Sequence, residues 1–179
     1  MAKIITISGK AESGKDTSAQ MLKEQLEDLG YNVLICHYAD LLKFICKNFF
    51  DWDGQKNEEG RTLLQRVGTE GVRKYNPNYW VEFILEILAF FPDEWDFVLI
   101  PDARFPNEIN LLKDDNYDVM AVKVVRTDYE NHLTEEQRNH PSETALDDYI
   151  FDYTLLNEST KEGLYARIES LVSTIIEKR

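Results

Sequence analysis

Cysteine is nearly absent from this chain, and long apolar runs and an excess of positive charge are missing as well. Two cysteines, Cys36 and Cys46, cannot build a disulfide framework, and both sit among apolar neighbours. They read as buried thiols of a reducing compartment. Lysine and arginine number 20 against 33 acids, leaving a net charge of −13 over 179 residues. Such a surface repels phosphate backbones, so nucleic acid is not expected as a partner. Any phosphate must meet a local basic pocket set into an acidic surface, which suits a small nucleotide better than a polymer. The longest apolar stretch, WVEFILEILAFF, is interrupted by Glu82 and Glu86, and no signal-peptide pattern precedes the first strand. No membrane partner is expected, and the setting read from this is cytoplasmic. There is also no internal repeat, low-complexity segment or linker, so residues 1–179 read as a single domain.

What is present is an alternation of strands and helices. Lys3–Ser8 is isoleucine-rich and reads as a strand buried on both faces. A helix follows, with Met21, Leu22, Leu26 and Leu29 on one side and Gly30 as its stop. YNVLICHY reads as a second strand, residues 40–49 as a helix, and DWDGQKNEEG as an acidic loop. Residues 61–72 predict a helix with Leu63, Leu64 and Val67 on one side and Arg61, Gln65, Arg66, Thr69 and Arg73 on the other. Tyr79–Phe90 predicts another helix, FVLI a third strand, residues 105–113 a helix, VMAVKVV a fourth strand and FDYTLL a fifth. Ser159 and Glu162 suggest a capping box for the last helix, which carries Leu164, Ile168, Leu171, Val172, Ile175 and Ile176. This order means an α/β domain with a parallel sheet covered on both faces. It carries a helical insertion after strand two (residues 38–90) and a polar, lid-like insertion after strand four (residues 126–148).

The chemistry starts at ISGKAESGKDTSA. Gly9, four residues, then Gly14-Lys15 is the spacing of a phosphate-binding loop, and it lies between a strand and a helix. The residue after the lysine, ordinarily a hydroxyl ligand of magnesium, is Asp16, with Thr17 one place later. Either a carboxylate acting through water or the Thr17 hydroxyl fills that role. Asp102 closes the third strand, where an acid can help hold magnesium or merely open a turn. Arg61, Arg66, Arg73 and Arg104 either converge on a second anion or form a solvated face, the latter being the reading for Arg66 alone. Arg126 and Arg138 flank the lid-like stretch, His140 reads as structural, and Tyr79 and Trp80 read as core or pocket wall.

Several separated segments resemble the bacteriophage-type deoxynucleoside monophosphate kinases, a branch of the P-loop kinases. They are SGKAESGKDTSA with its Lys-Asp-Thr ending, YADLLK, RTLLQRVGTEGVR, NPNYW, PDARFPNE and HPSET, in that order along nearly the whole chain. The resemblance implies a three-layer α/β fold with a five-stranded parallel sheet, a helical acceptor-site insertion and a lid. It implies transfer of a phosphoryl group from ATP to a deoxynucleoside monophosphate, with Mg2+, by a monomer or homodimer. The residues expected at the ATP phosphates are Gly9, Lys10, Ser13, Gly14 and Lys15, with Asp16, Thr17 and Asp102 at the magnesium. Asp40, Lys43, Arg61, Gln65, Thr69, Arg73, Trp80 and Glu143 are expected on the acceptor side, and Arg104, Arg126 and Arg138 near the transferring group. A phosphate acceptor is already ionised, which explains many arginines and no convincing nucleophile–base pair. Two other readings stay open at this stage. One is a P-loop kinase for dephospho-coenzyme A or phosphomevalonate, with Asp40 as base in the first case. The other is a nucleotide sensor, although the Asn-Lys-x-Asp run of guanine switches is missing.

Overall fold

The computed structural model describes residues 1–127, 129, 131–158 and 160–178. Five parallel strands form one sheet in the order β2-β3-β1-β4-β5. They are β1 (Lys3–Ser8), β2 (Val33–Ile35), β3 (Phe97–Ile100), β4 (Asp118–Arg126) and β5 (Tyr153–Asn157). Every residue of β1 and β3 is buried, because both faces of the sheet are covered. Ile5 stands opposite Leu99 on one side and Met120 on the other, at the middle of the sheet.

Helices α1 (Lys15–Asp28) and α8 (Lys161–Glu177) contribute Leu22, Leu26, Ile168 and Leu171 to the apolar layer on one face. The opposite layer joins Ile4, Val98 and Ala121 to Trp80, Val81 and Ile84 of α4 (Tyr79–Phe90) and Ile109 of α5 (Pro106–Asp114). This is the three-layer arrangement expected from the alternation of elements. Helices α2 (Ala39–Phe49) and α3 (Glu58–Gln65) precede α4, and α6 (Glu135–Asn139) and α7 (Pro141–Thr144) lie between β4 and β5. Among the described residues, no helix is long and apolar enough to cross a membrane.

Several expectations need correction. Leu29 does not belong to the buried stripe of α1: it caps the helix at 58% exposure, and Gly30 at φ 89° turns the chain away. The second strand keeps only three residues, since it is an edge strand paired with the short β3. The acidic loop ends earlier than read, because Asn57 caps α3 by accepting from the Gly60 N–H, with Glu58 and Glu59 in the first turn. At the last helix, Ser159 lies outside the described residues, and Thr160 is the residue that caps, accepting from the Gly163 N–H.

The largest departure concerns residues 61–72. The α-helical turn stops at Gln65, and Arg66–Arg73 continues as a π-helix, in which each N–H reaches five residues back rather than four. The sequence RVGTEGVR explains why the widened helix fits. Gly68 packs against Leu42, whose Cδ2 would lie 2.7 Å from an added Cβ, and its carbonyl accepts from the Trp80 indole 3.3 Å away. Widening changes the faces read from a 3.6-residue period. Arg73 turns inward to 9% exposure, pairs with Glu108 at 3% exposure, and lies 4.0 Å from the centre of the Phe105 ring.

Arg73 and Glu108 thus join the π-helix to α5 through a desolvated ion pair. Burial pushes the Glu108 carboxyl up, and the Arg73 guanidinium is the main influence pulling it back. Removing one member leaves the other charge buried, which costs about 3–5 kcal/mol. Arg73→Ala should lose that much in urea unfolding, whereas Arg61→Ala, at the partly exposed Glu12 pair, should lose under about 1 kcal/mol. Equal losses in the two variants would contradict the division drawn here.

Candidate active site

The loop between β1 and α1 has room only for glycine at two points. A Cβ on Gly9 would sit 2.5 Å from the Val124 carbonyl oxygen of β4, and one on Gly14 would sit 2.5 Å from the Asn157 Nδ2. Gly14 also stands at φ 99°, which L side chains avoid. Asn157 donates to the Ser13 carbonyl at 2.9 Å, fixing the loop to the end of β5. Lys15 opens α1, is 8% exposed, and donates to the Lys10 carbonyl at 2.7 Å. Burial first, and the Arg104 cation second, push its ammonium down to about 7.

The cradle fits a phosphate. The Ser13 hydroxyl is buried without a protein partner, beside glycines whose missing side chains leave the backbone accessible. Magnesium fits the residues too, in a water-rich form. Among the described residues no three carboxylates, histidines or cysteines gather, but this ion keeps several waters and takes one or two carboxylates plus phosphate oxygens. Asp16 is 74% exposed at the mouth of the site and is held below the usual carboxylate range, chiefly by the His37 ring at 3.6 Å. Asp102 presents one oxygen to the Tyr38 N–H and the other to the Ala39 N–H, each at 2.9 Å, so it also pins the start of α2. Thr17 is exposed and lines neither pocket described below.

A pocket of about 390 Å³ lies on one side of the loop. Lys15, Asp16, Asp102 and Arg104 line it on the side of the loop. Arg61, Gln65, Thr69 and Arg73 approach from α3 and the π-helix, and Lys43 from α2, while Trp80, 3% exposed, forms the floor. Asp40, expected with these, does not line the pocket; its oxygens face Lys43 at 2.8 Å and His37 at 3.1 Å. A second pocket, about 360 Å³, lies across the loop and brings in Gly9, Lys10, Ser13 and Arg126. Arg138 reaches neither: it is exposed on α6, with its Nε on the Leu133 carbonyl at 3.2 Å.

Arg104 and Glu143 lie between the two pockets. The Glu143 carboxylate, 8% exposed, accepts from Arg104 at 2.6 Å and from the Ala11 N–H of the loop at 2.9 Å. Lys10 donates to the Glu143 carbonyl at 2.6 Å and pairs with Asp147, so the 126–148 segment is fastened to the loop. His140 caps α7, its Nδ1 accepting from the Ser142 N–H at 3.2 Å, in line with a structural role.

Four participants escaped the sequence reading: Glu12, His37, Glu108 and Tyr129. Only Glu108 left a signal, as the third residue of a helix beginning at Pro106. The other three act through contacts 21 to 120 residues away in the chain.

The strand order, the loop at the end of β1 and the pockets beside it define the P-loop kinase fold. Shikimate kinase from Bacteroides thetaiotaomicron superposes with a TM-score of 0.54 over 97% of this chain and 98% of that one. At 13% identity that likeness is one of fold alone. Residues 54–168 match the deoxynucleotide monophosphate kinase family, and the chain belongs to it. It is similar to the deoxynucleoside-5'-monophosphate kinase of Escherichia phage T5, 31% identical over 102 residues, covering 55% of this chain and 39% of that one. The deoxynucleotide monophosphate kinase of Enterobacteria phage T4 is 26% identical over 117 residues, 64% of this chain and 46% of that one. The chain thus spans less than half the length of these two relatives.

The depressed Lys15 makes phosphate binding a proton-linked event. At pH 8 the free protein holds Lys15 mostly neutral, and phosphate oxygens restore the ammonium, so binding takes up a proton. At pH 6 the ammonium is already present and uptake vanishes. Calorimetry of ATP binding in buffers of different ionisation enthalpy should show uptake approaching about one proton at pH 8. The same uptake in Lys15→Met would assign the titration to another group.

Proposed function

We propose that the protein transfers the γ-phosphoryl group of ATP to a deoxynucleoside monophosphate in the cytoplasm of a host cell. One observation carries the reading: the phosphate loop and an arginine-lined pocket share a wall at Lys15 and Asp16. A donor cradled by the loop and an acceptor in the pocket then meet across that wall without either substrate crossing the protein. Catalysis of this kind is positioning and charge neutralisation.

In this reading Gly9, Ser13 and Gly14 let the backbone close round the donor phosphates, with Lys10 beside them, and Lys15 meets the bridging charge. Arg61, Gln65 and Thr69 receive the acceptor phosphate, with Lys43 at the pocket edge, and Trp80 forms the floor under its base. Arg104, placed where both pockets meet, serves the transferring group, and Arg126 approaches from the donor side. Arg73 is kept as the positioning member of a buried pair. Magnesium, when bound, screens the phosphate charges, and Asp16 and Asp102 are the residues that would hold it. A hydroxyl acceptor would need a base, and Asp40, whose oxygens are engaged by His37 and Lys43 and which does not itself line the pocket, supports a phosphate acceptor instead.

A coupled assay of ADP formation over all nucleoside and deoxynucleoside monophosphates tests the reading. Turnover should favour deoxynucleotides and vanish in a chelator. Asp16→Asn should raise the half-saturating magnesium concentration about tenfold or more, the loss of a charge-assisted contact. Full turnover in the chelator, or activity only with hydroxyl acceptors, would sink it.

A further inference from the structure

Among the described residues only three that are not glycine adopt a left-handed backbone: Glu12 at φ 62°, Asp51 at φ 52° and Asn116 at φ 65°. Asp and Asn tolerate that conformation because their short polar side chains bond the local backbone. Glutamate has no such relief. Its presence within the phosphate loop therefore calls for a compensating interaction.

The side chain supplies one by leaving the loop in two directions. Its Oε1 accepts from Arg61 Nη2 of α3 at 3.0 Å. Its Oε2 faces His132 Nδ1 at 3.0 Å and the Tyr129 hydroxyl at 3.4 Å, both in the 126–148 segment. The Glu12 carbonyl accepts from Arg126 at 3.2 Å, and the Tyr129 hydroxyl donates to the Ala11 carbonyl. Arg61 is fixed from the other end by its Nε bond to the Lys56 carbonyl at 2.9 Å. Two bonds hold the guanidinium and leave its other donors for a phosphate.

These contacts do little for stability. The carboxylate is 31% exposed, Arg61 25% and His132 89%, and pairs of that kind contribute little. A strained residue whose partners are a pocket arginine and the segment over the loop points to function.

We propose that Glu12 is a positioning residue for the acceptor. It aims Arg61 at the acceptor phosphate and ties α3 to the 126–148 segment across the donor loop. The inference rests on the monophosphate-kinase reading above.

The test uses Glu12→Gly, Glu12→Gln, Arg61→Ala and the Glu12→Gly/Arg61→Ala pair, with each substrate varied in turn. Glycine accepts the left-handed backbone, so Glu12→Gly should keep Tm within about 2 °C of the unaltered protein. Its KM for the monophosphate should rise about tenfold, the loss of one charge-assisted contact. The KM for ATP should stay within about twofold, and Glu12→Gln, retaining one oxygen for Arg61, should fall between. The double variant should bind monophosphate no worse than Arg61→Ala alone, the signature of residues acting as a unit. Active protein with an unchanged monophosphate KM in Glu12→Gly, or with both constants raised equally, overturns the positioning role alone. Additive effects in the double variant do the same. An unaltered protein that neither turns over nor binds any monophosphate overturns the kinase reading, and this inference with it.

Discussion

A lysine ammonium that is 8% exposed, at the end of the central strand, sets conditions that the rest of the site obeys. Such a group is tolerated only where oxygens face it, and the Lys10 carbonyl accepts from it at 2.7 Å. Curling the loop back to offer that carbonyl requires the backbone to reverse, which Gly9 and Gly14 permit at positions where any Cβ would strike β4 or Asn157. Because β1 lies between β3 and β4, the ends of both neighbours reach the same spot, delivering Asp102 and Arg104 from one side and Arg126 from the other. Arg104 makes the lysine's charge harder to keep, and Glu143, Asp16 and Asp102 offset it. The acidic excess of the sequence therefore reaches into the site, where it makes a cluster of cations tenable.

The arginines show how little residue type decides by itself. Arg61 and Arg73 both line the pocket that Lys15 and Trp80 share, yet their exposures, 25% and 9%, put them in different regimes. The first has a partner it can share with water. The second is committed to a carboxylate at 3% exposure, in a geometry where neither charge can be left alone. A phosphate entering the pocket competes far more easily for the exposed guanidinium than for the buried one.

The sequence made the sheet legible because its strands are short apolar runs flanked by glycine, proline and acids. The phosphate loop was legible because its spacing is local. The π-helix was not, since reading faces from a 3.6-residue period presumes the α-helix that RVGTEGVR abandons at Arg66. Arg73's inward turn follows from that widening and from Glu108, 35 residues further on. Thr17, Asp40 and Arg138 carried plausible chemistry in sequence, but their side chains lie outside both pockets. Glu12 failed for the opposite reason. It stands between the two glycines of the loop, and its partners, Arg61 and His132, come 49 and 120 residues later.

The same loop that binds phosphate therefore carries two kinds of information. Its glycines and lysine specify a generic anion cradle, common to the fold. The residues between the glycines specify neighbours: Lys10 fastens Asp147, the Ala11 N–H takes the Glu143 carboxylate, and Glu12 takes Arg61. Glu143 supplies the negative charge that Arg104 and the Ala11 N–H are arranged to meet. Donors already satisfied by a carboxylate cost little to keep in place, so the site can remain ordered while highly charged. Carboxylates paired in this way let Arg104 and Arg61 stand beside Lys15 without the protein gathering bare positive charge.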